Sequence, residues 1–196
     1  MMAVNPSVPA KTVPEFVTFA RANPGKINMA AAGVGSGPHL YGELFKAMTG
    51  VDLVTVHYRG AAFALPALVA GQVQVMFDIV VSSIGFIKSG KLRPLGVTTA
   101  ARVNVLPDVP PIGDFIPGYE TNGWVGIGAP AGTPAAIVNK LNIEINTALA
   151  DPKFSTRLSE LGVEPYPSSP AEFARFIAEF TEKWGKIIRA AGIKRH

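Results

Sequence analysis

Between Ile27 and Thr98 short apolar runs alternate with stretches of helical length, and this alternation limits the possible folds more than any other feature. Strands are expected over 27–31, 53–58, 73–80 and 92–98, and helices over 14–21, 38–48, 61–70 and 82–89. Helices of roughly 10–15 residues set between strands argue for βαβ units around a parallel-rich sheet, an α/β architecture. The 73–80 run is apolar almost throughout, as in a parallel strand buried on both faces. Asn23, Pro24 and Gly25 stop the first helix, which Thr12 can cap, while Gly50 and Gly71 are suited to ending the next two. Pro38 fits a first helical position, whereas Pro66 falls inside a helix and should kink it or remove a hydrogen bond.

The texture changes after Thr99. A proline-rich connection (Pro107, Pro110, Pro111, Pro117) leads to 123–128, expected as a strand; Thr133 can then cap a helix whose first position is Pro134. Helices are expected over 135–150, 152–161 and 170–191, the last capped by Ser169, with a short edge strand at 163–166. Two parts follow, residues 1–122 and 123–196.

Several functional classes fall away on composition. No cysteine is present, which removes disulfides, thiolate metal sites and cysteine nucleophiles. His39, His57 and His196 are the only histidines and none has zinc-site spacing, so no metal site is expected. The net charge of +4 is poorly placed for nucleic acid, because Lys183, Lys186, Arg189, Lys194 and Arg195 crowd the C-terminal end. From Gly60 to Ile87 the only ionisable charge is Asp78, and no basic stripe with base-reading groups exists. No run approaches the roughly 18 apolar residues of a membrane helix. The stretch after Met1 lacks a charged n-region and an apolar h-region, which read alone places the chain in the cytoplasm.

Three places carry candidate chemistry, each after a strand. The loop containing Gly33, Gly35, Ser36, Gly37 and His39 brings glycine-rich backbone to a helix N-terminus, where free N–H groups and the dipole suit an anion. It matches neither a dinucleotide fingerprint nor a P-loop, so a small carboxylate fits better than a pyrophosphate, and a turn without ligand stays open beside it. Tyr58, Arg59, Gly60 and Ala61 form a second strand-to-helix turn, with Arg59 able to pair with a carboxylate or to point into solvent. Asp78 stands among apolar neighbours, where a carboxylate is costly to bury without hydrogen bonds. No nucleophile elbow or paired carboxylates single out an enzyme, and no cofactor is implied.

Several ordered blocks are similar to a known family. They are Gly25-Lys26-Ile27-Asn28, the loop from Gly33 to Leu40, Gly42-Glu43-Leu44-Phe45, Tyr58-Arg59-Gly60-Ala61-Ala62, Gln72-Val73-Gln74-Val75-Met76-Phe77-Asp78, Pro107-Asp108-Val109-Pro110 and Gly128-Ala129-Pro130-Ala131-Gly132-Thr133-Pro134. Together they resemble the Bug (Bordetella uptake gene) solute receptors of tripartite tricarboxylate transporters. The resemblance implies a periplasmic-binding-protein fold of two α/β lobes, a small carboxylated solute in the cleft between them, and membrane transporter subunits as partners. It implies ligand contact by Gly33, Gly35, Ser36, Gly37, His39, Tyr58, Arg59, Gly60 and Ala61, with Asp78 beside the cleft. His57 and Phe63 stand where the family usually has proline.

Family chains look longer, at about 300 residues with a signal peptide. The expectation is thus an N-terminally truncated receptor: one nearly complete lobe with a parallel-rich sheet flanked by helices, plus the C-terminal helical part of the second lobe. Its compartment is periplasmic by resemblance. A cytosolic small-molecule sensing module with a protein partner is the alternative. Val125, Ile127, Ile137, Leu141, Ile145, Leu149, Phe173, Ile177 and Trp184 would then lack cover, and a homodimer is expected.

Overall fold

The computed structural model describes residues 1–190. They form two compact units: Met1–Gly123 with the described residues from Ile188, and Trp124–Ile187. Ala191 and the basic residues Lys194 and Arg195 lie outside the described residues.

In the first unit five strands make one sheet: β1 (Met2–Val4), β2 (Ile27–Ala32), β3 (Leu53–Tyr58), β4 (Val75–Phe77) and β5 (Arg93–Gly96), in the order β3-β2-β4-β1-β5. β3 and β4 flank β2 and pair with it in parallel, while β1 runs antiparallel to both β4 and β5. Four strands therefore share one direction and β1 opposes them. β1 was not among the expected elements, because three residues are too few to show a period.

Alternation along the strands explains why helices cover both faces. Ala30 and Met76 point to one face and pack with Ala64, Leu65 and Leu68 of α3 (Ala61–Val69). Met29 and Phe77 point to the other, where α2 (Gly37–Thr49) lies so close that a Cβ on Gly42 would overlap the Met29 thioether. Phe45 of α2 completes an aromatic core with Phe16 of α1 (Val13–Arg21), Phe77 and Tyr119, at centroid separations of 6.2, 5.4 and 6.1 Å. Thr12 caps α1 as expected, its hydroxyl accepting the Glu15 amide at 3.3 Å.

Pro66 lies inside α3 and removes a hydrogen bond, as expected: the bond to the Ala62 carbonyl is lost on the exposed face, and the ladder resumes with Ala70 N–H donating to Pro66 O at 2.9 Å. Three local expectations are corrected here. The apolar 73–80 run is a strand only over Val75–Phe77, and α4 (Val80–Lys88) begins at its end. Periodicity alone does not separate a buried strand from a buried helix. Residues 123–128 and 163–166 are not strands, and their backbone pairs with no strand among the described residues.

The second unit is helical, with α5 (Ala135–Ala150), α6 (Pro152–Glu160) and most of α7 (Pro170–Ala190). Thr133 does not cap α5, since its hydroxyl donates to Pro130 O at 2.8 Å instead. Ser169 does cap α7, in a reciprocal box: Glu172 N–H donates to Ser169 Oγ, and Ser169 N–H donates to Glu172 Oε2. Trp124 lies edge-on to Phe173, Phe176 and Phe180 of α7 at 5.4, 5.5 and 5.8 Å. Gly126 is a glycine because a Cβ there would enter the Phe173 ring. Trp184 is buried rather than uncovered, with its ring centroid 5.8 Å from that of Phe180. Val125, Ile127, Ile137 and Leu141 remain exposed, at 98, 70, 51 and 47%.

Candidate functional site

The chain leaves β2, passes through α2 and returns as β3 on one side; after α3 it returns as β4 on the other side of β2. That reversal makes the carboxyl ends of β2 and β4 a topological switch point, where open α/β sheets bind ligands. All the candidate residues gather at this edge. Gly33, Gly35, Ser36 and Gly37 follow β2, Tyr58 ends β3 with Arg59 to Ala61 after it, and Asp78 follows β4. The parallel pairing Ala32↔Tyr58 sets the first two loops side by side.

The loop after β2 is held mostly by bonds within itself. Ser36 Oγ and Ser36 N–H both donate to Gly33 O, at 2.9 and 3.3 Å. Ser36 then caps α2, its Oγ accepting from His39 N–H at 3.4 Å. Gly33 and Gly35 have φ of 102° and 73°, backbone that glycine adopts without strain. Gly35 N–H donates to His39 Nδ1 at 3.0 Å, so neither group is free for a solute. Sequence reasoning expected His39 as a solute contact, but the structure buries it to 4% exposure beneath the loop.

Sequence reasoning did not assign a role to Glu43, one helical turn beyond His39. Its Oε1 accepts from Thr55 Oγ1 at 2.8 Å and Lys46 Nζ at 3.0 Å, and lies 3.7 Å from His39 Nε2. Burial pushes the Glu43 carboxyl up, but the hydrogen bonds from His39, Thr55 and Lys46 outweigh it and lower its pKa to about 2. The i,i+4 spacing from His39 was the available signal.

The turn after β3 offers what the first loop withholds. No side chain caps α3, and Gly60 O accepts from Phe63 and Ala64 N–H, so the amides of Ala61 and Ala62 head the helix uncapped. Arg59 is exposed and forms no ion pair among the described residues. α4 likewise starts without a side-chain cap after Ile79, which puts a second uncapped N-terminus at the end of β4. The helix was expected to start only at residue 82, because the strand was expected to run on to residue 80. Exposed apolar side chains stand at the same three places: Val34, Phe63, Ile79 and Val81.

Asp78 is 2% exposed and accepts from Ser83 Oγ, while its Oδ1 has no hydrogen-bond partner. Burial raises its pKa, against the Ser83 hydrogen bond. Its backbone ties in the start of β1: Asp78 N–H donates to Met1 O at 2.9 Å, and the Met1 amino group donates to Asp78 O at 2.7 Å. The Ser83 bond ties the Asp78 carboxyl, at the end of β4, to the start of α4. No group of three or more His, Asp or Glu side chains fit to hold a metal ion occurs among the described residues.

The model of the tripartite tricarboxylate transporter family receptor matches residues 1–193. The chain belongs to this receptor family. A UPF0065 protein from the tcbD–tcbE intergenic region of Pseudomonas sp. strain P51 is 39% identical over 91% of the chain and 54% of its own length. The structure of Rpa4515 of R. palustris with adipate superposes with a TM-score of 0.94 at 36% identity, covering 98% of this chain and 65% of that one. MatC (Rpa3494) of Rhodopseudomonas palustris with bound malate gives 0.87 at 32%, covering 96% and 65%. The chain thus spans about half the length of that curated relative and about two thirds of each solved neighbour. The tripartite tricarboxylate receptors and these structural neighbours are solute-binding proteins, not enzymes.

Proposed function

We propose that this chain carries the solute-binding part of an extracytoplasmic receptor that takes a small carboxylate and feeds a tripartite tricarboxylate-type transporter. The observation that carries the reading is the switch-point edge itself. Two uncapped helix N-termini, at Ala61 and Val80, and the unpaired cation Arg59 gather where three adjacent parallel strands end. Backbone N–H groups at helix starts bind carboxylates through both hydrogen bonding and the dipole. The loop from Gly33 to Gly37, with its own amides partly committed, acts as a shaped wall, and Asp78 fixes the turn beneath. Adipate and malate in the related structures are both carboxylates, which supports this solute class. The apolar rim of Val34, Phe63, Ile79 and Val81 suits the carbon chain of such a solute. The periplasm as compartment and membrane subunits as partners rest on the family alone.

Isothermal calorimetry with adipate and malate tests the reading. Saturable binding of either, weakened at least about tenfold by Arg59→Ala, is the expected result. No heat of binding from a panel of di- and tricarboxylates, amino acids and aromatic acids would remove the carboxylate assignment.

A further inference from the structure

The bonds around His39 admit only one arrangement of protons. Glu43 Oε1 already accepts from Thr55 Oγ1 and Lys46 Nζ, and a carboxylate at this pKa has no proton to give. The His39 nitrogen facing it, Nε2, must therefore be the protonated one. The other nitrogen, Nδ1, is then bare, and it accepts the Gly35 amide at 3.0 Å. The opposite tautomer would set Nδ1–H against Gly35 N–H and a lone pair against the carboxylate, two repulsions in a place where His39 is 4% exposed. The His57 ring stands edge-on at 4.8 Å and helps hold the imidazole plane.

We infer that Glu43 and His39 work as one positioning device for the glycine loop, with the carboxylate choosing the His39 tautomer and the tautomer holding Gly35. Neither residue touches the solute in this arrangement. This inference rests on the receptor reading, since it gives the loop from Gly33 to Gly37 its fixed shape as the solute's wall. The brace completes what Ser36 begins: Ser36 ties the loop back to Gly33 O on one side, and His39 ties it down onto α2 on the other. Lys46 and Thr55 act through Glu43, linking α2 and β3 to the same oxygen.

The test is nitrogen-15 NMR of the full chain, joined to adipate titration. In the wild type, the His39 imidazole should show the Nε2–H tautomer, and Gly35 should be a slowly exchanging amide. Glu43→Gln keeps an oxygen where all three donors converge, and should retain the tautomer, the slow Gly35 exchange and adipate affinity within about threefold. Glu43→Met keeps the volume but loses the acceptor; Gly35 exchange should quicken and adipate affinity fall, each by about tenfold or more. A residue with only a structural role would change the melting temperature without switching a tautomer. An Nδ1–H tautomer in the wild type overturns the inference outright, and that measurement needs no variant to fold. Unchanged Gly35 exchange in a folded Glu43→Met protein overturns it too. Should the wild type bind no adipate, the receptor reading for that solute fails, while the tautomer and the exchange rate still decide the brace.

Discussion

Acid should undo the contribution of Glu43 in a defined window. Its folded-state pKa of about 2 lies below the ordinary 4.5, with burial opposing and the donors His39, Thr55 and Lys46 prevailing. A carboxyl depressed on folding contributes stability that is complete above about pH 4.5 and is lost as the pH falls towards 2. At 1.36 kcal/mol per pKa unit, the displacement corresponds to at most about 3 kcal/mol. The Glu43 and Lys46 side chains are 13 and 23% exposed, so solvent screening reduces this to about 1–2 kcal/mol. Urea unfolding of wild type and Glu43→Gln at pH 7, 5, 4 and 3 measures it. The wild type should lead at pH 7, and its lead should shrink steadily below pH 4.5. A gap that stays constant down to pH 3, or widens in acid, refutes the reasoning.

Three further outcomes follow from the packing. Gly42→Ala should cost about 1–3 kcal/mol in urea unfolding, because the new Cβ displaces the Met29 thioether and comes 3.2 Å from the Phe77 ring. Ser169→Ala should cost about 1 kcal/mol of stability, read as a lower melting temperature, by opening the reciprocal cap of α7. Sedimentation equilibrium should show self-association of the 20.6 kDa chain at high concentration, driven by the exposed Ile137, Leu141 and Ile143 of α5; a single 20.6 kDa species throughout would contradict it.

Most of the first unit was legible because its signals are local. β-Branched runs, the cap at Thr12, and stops at Gly50 and Gly71 each act within a few residues. The misses need partners far along the chain. β1 is a strand only because Phe77 and Gly96 lie on either side of Met2, 75 or more residues away. Val125 and Ile127 have strand-forming side chains but pair with no strand among the described residues, so their propensity goes unused. At the site, the sequence placed glycines and a histidine in one loop and suggested that all of them face a solute. It could not show that His39 turns inward, because that depends on His39, Thr55 and Lys46 meeting at a single Glu43 oxygen. The uncapped start of α4 was hidden by an apolar run whose helical and extended halves look alike.

Amide-resolved titration of the chain with adipate tests the central claim most directly, namely that the switch-point edge of the first unit binds the carboxylate. Shifts should concentrate at Ala61, Ala62, Val80, Val81 and the loop from Gly33 to Gly37, and Ser36→Asp, which sets a negative charge beside them, should weaken them. Saturable adipate binding whose shifts fall elsewhere, on α5 or α6 for instance, or which survives Ser36→Asp unchanged, would contradict it.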